Sequence, residues 1–182
     1  MQSIDTRKIK SLFKQTMVAD IPDMIVVIDP TGPTIIQLGD RRIRVSLQRE
    51  TQEPANISEI AFNCHQLVSA SKLIAYGFNF DLYVTVDNGD VIAKIMQMFA
   101  PCGEDLATKL GGDILSVTPR LKFQRDHVLY DLILEPMDAT HLSIHLNVHI
   151  EQENQDISSE ILHDGLSNVY HYLVSILPSL IA

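Results

Sequence analysis

The chain has 182 residues, a length that suits one medium domain, and its 46% hydrophobic content is that of an ordinary globular protein. A domain of this size buries roughly 70% of its unfolded surface, so it needs no disulfide or metal staple. A formal net charge of -9, 6% aromatics and no Trp argue against general attraction to nucleic acid or anionic lipid and against base stacking.

From Asp5 to about Val18, Ile9, Leu12, Phe13 and Met17 recur at helical spacing, which predicts an amphipathic helix. Arg7, Lys8, Lys10 and Lys14 form its basic, solvated face. Met24 to Ile28 is apolar throughout and reads as a strand covered on both faces. Pro30-Thr31-Gly32-Pro33 is a turn; Thr34 to Gln37 is a second short apolar piece; Arg41 to Arg49 alternates with Ile43, Val45 and Leu47 on one side. The polar stretch Glu50 to Asn56 is a loop. Ile57, Ile60, Ala61, Cys64, Leu67 and Val68 then predict a helix over about 57–71.

Phe78, Phe80, Leu82, Val84 and Val86 alternate with polar positions, and Asn88-Gly89 closes that strand. Asp90 caps a helix through Ile92, Ile95, Met96 and Phe99, stopped by Pro101. A short helix over 103–110 leads to Gly111-Gly112, read as its C-cap. Three alternating segments follow. The first has Leu115, Val117, Leu121 and Phe123 inward, and the second has Val128, Tyr130, Leu132 and Leu134 inward. The third, Thr140 to Ile150, places His141, Ser143, His145, Asn147 and His149 on one face and five aliphatic residues on the other. Asp156 is expected to cap a last helix with the stripe Leu162, Leu166, Val169, Leu173 and Leu177, ended by Pro178.

This order predicts a single α+β domain over 1–182, with a largely antiparallel sheet that has one polar face and helices packed mainly on the other. Parity sets an expected register. A two-residue turn at Arg125-Asp126 places Arg120 near Asp131, and a three-residue loop at Met137-Asp138-Ala139 places Asp131 opposite His145. The same arithmetic pairs His127 with His149 and Glu135 with His141. The row Arg120, Asp131 and His145 is thus the candidate ligand-binding set, with Asp131 orienting His145 or the cations holding an anion.

No phosphate-binding, dinucleotide-binding, zinc-protease or nucleophile-elbow motif occurs, and no cofactor or metal is expected. Cys102 precedes a helix, but Glu104 and Asp105 oppose thiolate formation there; Cys64 falls on an apolar stripe. The apolar run Tyr172 to Ala182 exceeds one helix stripe, so Leu173, Ile176, Leu177, Leu180 and Ile181 are candidates for core or interface. With two unpatterned cysteines, no secretory pattern and no apolar run of about 20 residues, a soluble cytoplasmic protein is expected. The functional expectation is a non-enzymatic module that self-associates or binds another protein. The alternatives are a small-molecule or anion-binding protein, or small enzyme, using the polar face, and a peptide-binding, chaperone-like module.

Overall fold

The computed structural model describes residues 17–21, 24–29, 34–39, 43–47, 57–67, 74–87, 90–151 and 156–181. The expected basic helix up to residue 16, the turn at 30–33, the loop at 50–56 and the Asn88-Gly89 turn lie outside these residues. The strands are β1 (Met17–Ile21), β2 (Met24–Asp29), β3 (Thr34–Gly39), β4 (Ile43–Leu47), β5 (Ala75–Thr85), β6 (Arg120–Arg125), β7 (Val128–Pro136) and β8 (His141–Glu151). The helices are α1 (Ser58–Leu67), α2 (Val91–Phe99), α3 (Gly103–Leu110) and α4 (Ser159–Ile181). Met17 and Val18, the expected end of the first helix, are therefore strand residues.

Every pairing among these strands is antiparallel, and the fold is α+β. The alternating segments do not join one sheet, however. They form two sheets of four strands, in the orders β1-β2-β3-β4 and β5-β8-β7-β6. The chain correspondingly clusters into two compact units, Met1–Leu73 with Asn154–Asn168, and Ile74–Glu153 with Val169–Ala182.

The first unit is a simple meander. Val27 on β2 and Ile36 on β3 are direct cross-strand partners, and both are fully buried. α1 packs against β4, with Cys64 in the core. Burial pushes the Cys64 thiol up to about 11, which makes it an inert packing group.

In the second unit, the histidine strand β8 is central, flanked by β5 and β7. Leu142, Ile144, Leu146 and Val148 of β8 meet Leu132 and Leu134 of β7 to make a fully buried apolar face. The second half of α4 covers it through Val169, Leu173 and Leu177. Tyr170 lies 6.1 Å from Phe80 on β5, and Tyr172 lies 5.5 Å from Tyr130 on β7, so the helix spans most of the sheet's width. Tyr130 stacks on Phe123 of β6 at 4.9 Å, and the Arg125 guanidinium sits 4.5 Å over the Tyr172 ring.

The helix ends follow local chemistry. Asp90 accepts from the N–H groups of Ile92 and Ala93 at the start of α2. Gly111, at φ 67, closes α3 in the left-handed conformation. α4 begins later than expected, because Ser158 rather than Asp156 accepts from Ile161 N at 3.2 Å. It also runs past Pro178 to Ile181, and Lys94 of α2 donates to the Ile181 carbonyl at 3.0 Å. A cation there satisfies a terminal carbonyl and complements the helix dipole. The segment expected to alternate from Leu115 enters β6 only at Arg120, and Leu115 is exposed.

Candidate functional site

The face of the second sheet opposite α4 carries the polar residues read from the alternation. Asp126 and His127 make the β6–β7 turn, at φ 49 and 65. This moves the turn one residue beyond Arg125-Asp126 and shifts the pairing by two: Lys122, not Arg120, stands opposite Asp131. A two-residue shift keeps parity, so the faces are retained while the pairs change. Arg120 still reaches Asp131 along the diagonal. Its Nε donates to Oδ1 at 2.8 Å and its Nη2 to Oδ2 at 2.6 Å, and Lys122 Nζ lies 3.8 Å from the same carboxylate. The Arg120 hydrogen bonds hold the Asp131 carboxyl below its ordinary range, and the same bonds raise the Arg120 guanidinium.

His145 sits elsewhere than expected. It stands opposite Ile133, not Asp131, and its Nδ1 contacts Asp81 Oδ1 on β5 at 2.6 Å. One pair along, Asn147 Nδ2 donates to Asn79 Oδ1. The expected His127 and His149 pair does not form: His127 is in the turn, and His149 stands between Leu129 and Gly77. Glu135 stands opposite Ser143, while His141 binds Asp138 through Nδ1 at 2.8 Å. Asp138 also accepts from Thr140 N and His141 N, each at 2.8 Å, and these bonds hold its carboxyl down to about 2.

Of the three candidate ligand residues, the fold therefore joins Arg120 to Asp131 and gives His145 to Asp81. Among the described residues no group of three His, Cys, Asp or Glu side chains converges on a metal-sized position. Two clefts are lined by other residues. One, about 600 Å³, is open, and it is lined by Cys102, Glu104, Asp105 and Asp113 beside Met96 and Pro101. No histidine or cation stands among its lining residues to activate the exposed Cys102 thiol, and the three carboxylates there disfavour a thiolate. The other, about 370 Å³, involves Glu59, Phe62, Asn63, Glu160 and His163. The candidate interface residues divide: Leu173 and Leu177 are buried, and Ile176, Leu180 and Ile181 are half-buried.

The feature hidden from parity is the pair of sheet edges. Edge strand β6 has six residues and carries Arg120, Lys122 and Arg125. Edge strand β5 has 11 residues and no Lys, Arg or Pro. Val86 N donates to Thr140 O, so even-numbered positions here direct their backbone groups toward β8. Alternation then turns the N–H and C=O groups of Ala75, Gly77, Asn79, Asp81, Tyr83 and Thr85 outward. Among the described residues no second strand pairs with this edge, and Tyr83 is 81% exposed.

No protein-family model, curated protein or solved structure matches this chain. No described helix is long and apolar enough to cross a membrane.

Proposed function

We propose that this protein is a non-enzymatic interaction module that accepts a partner strand along β5. The contrast between the two edges of the second sheet carries this reading. Natural sheets protect their edges by shortness, Lys, Pro or bulges. β6 is short and basic, whereas β5 is long, regular and free of cations and Pro. A strand of 11 residues extends about 37 Å and offers a partner a ladder of backbone groups, the basis of strand-addition recognition.

The polar pairs have a part in this. Arg120 with Asp131, and His145 with Asp81, hold register across the face and disfavour slipped pairings. The partner is a polypeptide, a second copy included; a net charge of -9 speaks against nucleic acid or an anionic membrane surface. Two cysteines that form no disulfide accord with a reducing, cytoplasmic setting.

Asn79→Pro tests the reading, because it deletes an outward N–H and leaves the β8 ladder its donors. The variant is expected to keep the circular dichroism spectrum and lose association in sedimentation velocity. In the wild-type complex, the amides of Gly77, Asn79, Asp81 and Tyr83 are expected to gain hydrogen-exchange protection. Association that survives the substitution, with those amides still exchanging freely, refutes the edge as the binding element.

A further inference from the structure

We infer that the strand accepted by β5 is β5 of a second copy, paired antiparallel about a two-fold axis at Phe80. This rests on the edge reading above and adds the partner and the register. A two-fold pair of identical antiparallel strands sets residue i opposite j with i + j constant, so only a few registers exist. An odd sum would set the polar face of one copy beside the helix-covered face of the other, so it is excluded by burial.

Among even sums, the register centred on Phe80 is self-complementary. β5 runs from Ala75 to Thr85, so Phe80 is its midpoint and every residue finds a partner. On the polar face Asn79 meets Asp81 of the partner subunit, an amide donor beside a carboxylate. The partner subunit's Tyr83 lies over Gly77, the arrangement in which an aromatic ring covers an edge glycine. On the other face Phe80 meets its own copy, Phe78 meets Leu82 and Tyr76 meets Val84, which are favourable aromatic, apolar and β-branched pairs. Centring on Asp81 would set two carboxylates opposite each other, and centring on Asn79 or Leu82 leaves strand ends unpaired.

The backbone agrees. The outward groups belong to odd-numbered residues, so the Asn79–Asp81, Gly77–Tyr83 and Ala75–Thr85 pairs are the hydrogen-bonded ones. Phe80 falls at a non-hydrogen-bonded position, where side chains approach most closely. The polar row then becomes continuous across the axis: His145 to Asp81, on to the partner's Asn79 and the partner's Asn147. On the covered face, exposed Val174 lies one helical turn beyond Tyr170, the residue that contacts Phe80.

The experiment uses the full chain with Cys102→Ser, which removes the exposed thiol. Phe80→Cys is expected to form a disulfide-linked dimer under mild oxidation, with twice the 20.4 kDa chain mass, while Leu82→Cys stays uncrosslinked. Asn79 and Asp81 are exposed, which makes a second variant safe for folding. Asn79→Lys sets a cation opposite Asp81 twice per dimer and is expected to tighten the dimer dissociation constant by roughly two- to thirtyfold. If association depends on the edge, as read by Asn79→Pro, but Leu82→Cys crosslinks instead or Asn79→Lys weakens the dimer, the Phe80 register is overturned and the edge reading stands. A chain that sediments as a monomer at every concentration overturns the second copy as partner. Self-association indifferent to Asn79→Pro overturns both readings.

Discussion

Gly77 shows how closely β5 and β8 approach. A methyl group on it would stand 2.2 Å from the Val148 carbonyl oxygen, a backbone atom that can move only by spreading the two strands. Gly77→Ala is expected to destabilise the fold by about 1–3 kcal/mol in urea denaturation, the cost of forced overpacking. Asp138 makes a different kind of contribution, since its hydrogen bonds to Thr140 and His141 hold its carboxyl down to about 2, below an unfolded value near 4. Protons then favour the unfolded state. The stability it supplies is complete above about pH 4 and is lost as pH falls through about 2. Asp138→Ala is expected to flatten the stability profile across that interval, in denaturation measured at stepped pH.

Elements whose boundaries depend on local chemistry were legible in the sequence. The Asp90 cap, α3 with its Gly111 stop, and the alternation of β5, β7 and β8 follow from neighbours within a few residues. Two things were not legible. The β6–β7 turn uses Asp126 and His127 at positive φ with no glycine to mark it, so the register was misplaced by two. The division into two sheets, and the insertion of β5 beside β8, join residues about as far apart as Asp81 and His145, and alternation carries no information on strand order. The Arg120–Asp131 pair holds despite the shifted register because a guanidinium reaches diagonally; His145 pairs with Asp81 because β5, whose place beside β8 alternation does not reveal, sets that residue directly opposite it.

The last helix separates two roles that its composition merges. Leu173 is fully buried under the sheet, whereas Val174 is 44% exposed. Leu173→Ala is expected to cost about 2–5 kcal/mol in thermal or chemical unfolding. Val174→Ala is expected to leave unfolding nearly unchanged and to weaken dimerisation in sedimentation equilibrium. Equal effects on both measurements would show that α4 does not divide core from interface in this way.

At the scale of the molecule, the second sheet has two ends of opposite character, and only one invites company. β5 supplies a long ladder free of cations, and β6 presents Arg120, Lys122 and Arg125 on six residues. Once two copies have joined at β5, the extended sheet terminates in β6 on both sides. Another β6 edge arriving there meets a short cationic rim like its own. Under the proposed pairing, growth of this sheet is expected to stop after a single addition: the same asymmetry that admits a partner at β5 leaves only guarded β6 edges, a brake on fibre formation through this sheet.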